Sequence, residues 1–261
     1  MSMRALPAVT LLAAFLCTSC SVGATAPIVP GASVPIPSAG KPVVYAAVGA
    51  SETVGVGADI DRFRDAWPDV FYANALPRAA VLYNFGIAGE TTAAALHDEL
   101  PSALAVHPTL VTVWLNVDDL IAGVTPAQYG GELDELVHGL RRGGTTKVLV
   151  ANIPVLDSLP LVRLCFGDGR APGLTANCPP GIVNAGYTTA RLDSQVAAYN
   201  QVIAQVVAKD GAVLVDLHAQ GDVAAAHPDY VDREDGFHPS DRGTPAVAAA
   251  FQGALHGAGG P

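Results

Sequence analysis

Five short runs of consecutive apolar residues, most of them β-branched, restrict the fold of this chain more than any other feature. They are Val43–Val48, Val81–Tyr83, Leu110–Leu115, Lys147–Val150 and Ala212–Val215. Unbroken rather than alternating runs mark strands covered on both faces, as parallel strands are. Helical patterns lie between them. Thr125-Pro126-Ala127-Gln128 reads as a capping box with proline at the first helical position. Tyr129, Leu133, Leu136, Val137 and Leu140 then recur at helical spacing, Arg141 and Arg142 occupy the last turn, and Gly143-Gly144 ends it. Leu192, Val196, Tyr199, Ile203 and Val206 form a second stripe, and Thr244-Pro245 opens a final helix through Phe251. Strands alternating with helices predict a single three-layer α/β/α domain over residues 43–261, built on a five-stranded parallel, doubly wound sheet. Neither an internal repeat nor a second domain is visible. Such sheets gather ligands at the carboxyl ends of their strands.

Composition removes several function classes. Hydrophobic residues make up 50% and charged residues 15%, which excludes a disordered chain. The net charge of −10 offers no basic footprint for nucleic acid. The N-terminus reads as an export signal over residues 1–19: Arg4 supplies the positive start and Ala5 to Cys17 an apolar segment too short to span a membrane. Leu16-Cys17-Thr18-Ser19-Cys20 resembles a bacterial lipobox with Cys20 as the lipidated residue, although Cys17 stands where an aliphatic residue is usual. Residues 20–42, rich in Pro, Gly, Ser and Ala, read as a tether. The expected location is therefore the cell envelope or the exterior, with membrane contact only through a lipid anchor. Export leaves Cys165 and Cys178 in the mature chain, and an even count in an oxidising compartment argues for one disulfide. Twelve intervening residues and no nearby His make them a poor metal pair.

The strand ends carry the chemistry. The first is followed by Gly49-Ala50-Ser51-Glu52-Thr53-Val54-Gly55-Val56-Gly57. A serine on a tight strand-to-helix turn exposes its hydroxyl in front of a helix N-terminus. Taken alone, Ser51 is better read as a helix cap. The glycines lack both the phosphate-loop and the dinucleotide-binding endings. The second strand runs into Asn84-Phe85-Gly86-Ile87-Ala88-Gly89-Glu90-Thr91-Thr92, where Gly89 can aim a backbone N–H into the cleft. The third runs into Asn116-Val117-Asp118-Asp119-Leu120, and after the fifth comes Asp235-Gly236-Phe237-His238-Pro239-Ser240. An Asp three residues before a His can fix its tautomer and leave the other ring nitrogen free to take a proton.

Taken together, these segments resemble the SGNH hydrolase superfamily, the GDSL esterases and lipases, over residues 43 to 257. Gly49 to Thr53 resembles its first block, with Ala50 and Glu52 in place of the usual Asp and Leu. Asn84 to Thr92 resembles the second block, and Asp235 to Ser240 closely resembles the last. The resemblance implies a flavodoxin-like sheet and a carboxylic ester hydrolase that works through an acyl-enzyme. It makes Ser51 the nucleophile, His238 the base and Asp235 its partner. The backbone of Ser51 and Gly89 would face the oxyanion, and no metal or organic cofactor is implied. Its substrates span lipids, short acyl esters and acetylated glycans.

The third block departs from the family. The usual Gly-Gly-Asn-Asp-Leu aligns on Asp119-Leu120 so that Asp118 takes the asparagine position, with Asn116 two residues earlier. That asparagine donates an N–H to the oxyanion, which an ionised Asp cannot do. Either Asn116 supplies the donor, or Asp118 is protonated, or activity is weak or absent. The alternative function is thus a weak or inactive surface-binding module of the same fold. A metal-dependent phosphoesterase is disfavoured because the strand ends lack a ligand cluster. Asp229, Asp232, Glu234, Asp235 and Asp241 lack the EF-hand spacing and read as a solvated loop. The long connection at residues 153–190 holds Leu156, Leu161, Val162 and Phe166 and is expected to wall the cleft beside Ser51.

Overall fold

The computed structural model describes residues 42–58, 64–166, 178 and 188–260. The expected leader at 1–19, the lipidation candidate Cys20 and all but the last residue of the 20–42 tether lie outside these residues, as do most of residues 167–187. The five expected strands are β1 (Val44–Gly49), β2 (Val81–Asn84), β3 (Leu110–Trp114), β4 (Lys147–Ala151) and β5 (Val213–Val215). All pair in parallel, in the order β2-β1-β3-β4-β5.

Residues of alternate parity along each strand feed two cores. Ala46, Val48, Val111, Val113, Val148 and Val150 face one side. Tyr45, Ala47, Leu110, Trp114, Leu149 and Ala151 face the other. β2 differs from expectation. It is an edge strand: Leu82 packs on the second core, but Val81 and Tyr83 are 44% and 40% exposed. Its short apolar run resembles that of a central strand, and only the strand order distinguishes the two.

Among the described residues the helices, in chain order, are α1 (Ser51–Val54), α2 (Trp67–Ala75), α3 (Thr92–Asp98), α4 (Leu100–Ala105) and α5 (Val117–Ala122). They continue with α6 (Pro126–Arg141), α7 (Pro160–Phe166), α8 (Thr189–Asp210), α9 (Val223–Ala226) and α10 (Thr244–Gly257). α6 and α8 bury their expected stripes in the first core, and Tyr129 and Tyr199 stack there at 4.5 Å. α2 and α10 cover the opposite face, where Trp67 stacks on Phe251 at 4.1 Å. The start of α6 is half of the expected capping box. Thr125 accepts from the Gln128 N–H, but the Gln128 side chain turns forward to Glu132.

This topology decides where the site lies. β1 connects outward to β2, and β3 connects the other way to β4. Their carboxyl ends therefore diverge into a crevice, the switch point of an open parallel sheet. Ser51 opens α1 directly after β1, and Asn116 to Asp119 follow β3 on the other lip.

Candidate active site

Ser51 is the first residue of α1. The capping position belongs to Ala50, whose side chain forms no cap, so the hydroxyl is free for other work. Gly49 is required beneath it. A Cβ there would lie 2.8 Å from the Trp114 carbonyl oxygen and still closer to Thr53 Oγ1. The Asn84 side chain donates to the Thr53 carbonyl at 2.7 Å and fixes α1 against the loop after β2. Asp119 ties that loop to the β3 lip: its carboxylate accepts from Thr92 N at 3.0 Å and from Thr92 Oγ1 at 3.0 Å.

The loop before α10 delivers the imidazole. Asp232, expected as part of a solvated loop, is buried instead, and its Oδ1 accepts from the backbone of Glu234 and Asp235. A two-residue reach from carboxylate to backbone is the natural Asx turn of such a segment. Asp235 Oδ1 then accepts from Phe237 N at 2.8 Å and His238 N at 3.0 Å, and Oδ2 lies 2.6 Å from His238 Nδ1. A carboxylate only accepts, so Nδ1 carries the proton and Nε2 is left to accept the Ser51 hydroxyl, 2.8 Å away. Residues 187 positions apart in sequence thus meet in one hydrogen-bonded line.

The electrostatics of this line are unusual in their acidity. Burial alone would pull His238 down. The hydrogen bond that Nδ1–H donates to Asp235, the charge of Glu52 and those of Asp235 and Asp118 overcome it and hold the imidazole above its ordinary 6.5. Burial would raise Asp235, but His238 and the backbone N–H groups of Phe237 and His238 hold it below 3.8. Asp118 is pushed up to about 6 by burial and by the nearby Glu52 and Asp119. The side chain of Asn116 is buried and donates to the Ala151 carbonyl at 3.2 Å, whereas Asp118 lines the same cavity as Ser51 and His238. Of the two oxyanion candidates after β3, the structure brings Asp118 to the site and turns Asn116 toward β4. Gly89 sits in the turn after β2 with φ +80°, where any side chain would strain the backbone.

Two cavities flank His238. One, of about 200 Å³, opens at Ser51 between Leu120, Ile121, Leu156, Leu161, Val162 and Phe166. The part of the 153–190 connection that forms α7 walls it, and Leu161 N donates to the Gly236 carbonyl at 3.0 Å, bolting α7 to the loop that carries Asp235 and His238. Cys165 in α7 is disulfide-bonded to Cys178, with Cα atoms 5.5 Å apart. The second cavity, of about 120 Å³, lies on the other side of His238, between β3 and α10.

Sequence reasoning passed over Glu99. It sits at the α3–α4 junction, wholly buried, and its Oε2 accepts from Gly49 N at 2.8 Å. A charged residue inside an otherwise helical stretch gives no sign of burial. Burial lifts its pKa to about 8, against the pull of the Gly49 N–H. The sign follows directly. Folding raises the proton affinity of Glu99 from 4.5, so the native state holds more protons than the unfolded chain between about pH 4.5 and 8, and stability falls as pH rises through that window. Asp118, Asp119 and His238 act in the same direction. Thermal melts should show greater stability at pH 5.5 than at pH 8, with Glu99 contributing on the order of 3 kcal/mol. Glu99→Gln keeps an oxygen for Gly49 N and should remove most of that slope. A wild-type melting temperature that rises toward pH 8 would contradict this assignment.

An open parallel α/β sheet with a carboxylate–imidazole–hydroxyl line at its switch point defines a hydrolase site. Residues 47–244 match the GDSL-like Lipase/Acylhydrolase family, and the chain belongs to that family. No curated protein matches it. Among solved structures it is similar to TesA, with 22% identity over 81% of this chain and 97% of that one at a TM-score of 0.58. It is similar to the lipase/acylhydrolase from Enterococcus faecalis, with 19% identity, 83% and 96% coverage and a TM-score of 0.59. The psychrotrophic esterase EstA from Pseudoalteromonas sp. gives 16% identity, 82% and 97% coverage and 0.58. At these identities the likeness is one of fold.

Proposed function

We propose that the protein is a serine hydrolase that cleaves carboxylic esters through an acyl-enzyme. The observation that carries this reading is the unbroken line Asp235–His238–Ser51 at 2.6 and 2.8 Å. Ser51 Oγ bonds to the ester carbonyl carbon while His238 Nε2 takes its proton, and Asp235 stabilises the imidazolium. The tetrahedral oxyanion faces the backbone N–H groups of Ser51 and Gly89 and the carboxyl of Asp118, which donates when protonated. The bond to the alcohol oxygen breaks as His238 returns the proton to it. Water then adds to the acyl carbon with His238 again as base, releasing the acid and restoring Ser51. No metal or organic cofactor enters these steps.

The apolar cavity at Ser51 suits the acyl group. Six benzene carbons fit an engineered cavity of about 150 Å³, so 200 Å³ corresponds to a chain of about eight carbons. The Cys165–Cys178 disulfide supports an exported protein, secreted or held at the envelope through Cys20, because such bonds persist in oxidising compartments. Among the described residues no helix is long and apolar enough to cross a membrane.

A fluorophosphonate probe tests the function. It should add once, at the peptide bearing Ser51, and p-nitrophenyl butyrate should be turned over. A second reading, a binding module of weak or no turnover, is favoured by one observation, the acidic Asp118 where a neutral donor serves best. A protein that neither labels nor hydrolyses esters of any chain length would establish it.

The pH profile should be bell-shaped and low. Acylation needs neutral His238 and protonated Asp118, yet Asp118 loses its proton near 6 and His238 keeps its own to above 6.5. Only roughly a tenth of the enzyme or less holds both groups in the productive state at the optimum, which should fall between the two pKa values. A profile of kcat/KM that rises to an alkaline plateau would show that Asp118 plays no such part.

A further inference from the structure

The second cavity is not absorbed by the acyl-transfer chemistry. Its walls are apolar and aromatic, with Trp114, Leu217, Tyr230, Phe237 and Val247 among them, and His238 closes one side. Glu52, 8% exposed, lines it as well. Among the described residues its Oε2 has one hydrogen-bond neighbour, Ser51 Oγ, at 3.4 Å, longer than an ordinary O–H···O bond. No lysine or arginine is among the described residues that line either cavity. The basic neighbour of Glu52 in the chamber is His238, whose proton affinity it raises, and when His238 is neutral a cation entering the chamber would face the carboxylate directly. Aromatic faces beside a carboxylate are also the surroundings in which alkylammonium groups are held.

Size and position narrow the ligand. At about 25 Å³ per heavy atom, 120 Å³ holds about five heavy atoms, the bulk of a tetramethylammonium ion. The chamber adjoins His238, which hands its proton to the departing alcohol, and the Glu52 carboxylate is within 3.4 Å of Ser51 Oγ. With the acyl group assigned to the cavity at Ser51, the chamber on the other side of His238 is the space left for the alcohol. We propose that it receives the cationic end of the alcohol, so that the preferred substrates are esters of compact amino alcohols bearing a quaternary or protonated ammonium group. This rests on the hydrolase reading given above.

Two isosteric esters separate charge from shape: butyrylcholine and 3,3-dimethylbutyl butyrate, in which carbon replaces the nitrogen. Wild type should hydrolyse the cationic ester with a kcat/KM at least about tenfold higher, the scale of a desolvated cation contact. Glu52→Gln should bring the ratio close to one. Because both esters meet the same His238, any change in its protonation cancels from the ratio. In parallel, tetramethylammonium chloride should slow fluorophosphonate labelling of wild type where sodium chloride of equal ionic strength does not. Equal rates on the two esters, a ratio unchanged by Glu52→Gln, or labelling indifferent to tetramethylammonium would each overturn the assignment and leave the hydrolase reading intact. Absence of both labelling and turnover would overturn the hydrolase reading itself.

Discussion

Exchanging Ser51 for alanine should lower turnover of p-nitrophenyl butyrate by about 10⁴- to 10⁶-fold and abolish fluorophosphonate labelling. In the proposed mechanism the hydroxyl is the atom that bonds to the acyl carbon, and among the described residues no other hydroxyl or thiol is hydrogen-bonded to His238 Nε2, which lies 2.8 Å from it. His238→Ala should cost a similar factor, because an unassisted serine hydroxyl is a poor nucleophile. The double variant should be no slower than either single one, since the two groups act as a unit. Thermal melts decide whether such losses are chemical. Both side chains are only partly buried, so the melting temperatures should stay near wild type. Independent losses that multiply in the double variant would mean that Ser51 and His238 do not share a step.

Asp118→Asn should do the opposite and raise activity. At pH 8 a carboxyl with a pKa of about 6 is ionised and faces developing negative charge with a charge of its own. An amide of the same size donates an N–H at every pH. The gain should be about 10²–10³ in kcat/KM at pH 8, the range attached to one oxyanion donor. The bell-shaped profile should also become a single rise to a plateau, because only His238 then titrates. Its midpoint should move down, since Asp118 is one of the charges that holds the imidazole above 6.5. In the proposed mechanism the acidic residues around Ser51 would thus set the working pH as well as the rate. No gain at pH 8 would show that Asp118 lies away from the oxyanion.

The fold was legible because its signals are local. Unbroken runs such as Leu110–Trp114 and the stripe on α6 state both the element and the covered face. The relay was legible because glycines and short spacings set it out, as in Asp235-Gly236-Phe237-His238. The environment of carboxylates was not legible. Asp232, Glu99 and Glu52 carry ordinary surface side chains in sequence, yet all three are buried by elements distant along the chain. Exposure of Val81 and Tyr83 likewise depends on strand order, which so short an apolar run does not encode. Choosing between Asn116 and Asp118 required the backbone at the start of α5, where Asn116 has φ −172° and ψ −41° and its amide turns to β4.

The distance along the chain between Ser51 and His238 has a consequence for biosynthesis. A ribosome or a translocon delivers the Ser51 hydroxyl early and the imidazole it meets only 187 residues later. Until then the Ser51 hydroxyl has no imidazole to bond to, however well the first strands have paired. Under the proposed mechanism the growing polypeptide would stay inactive until the loop before α10 is made, after all five strands have emerged.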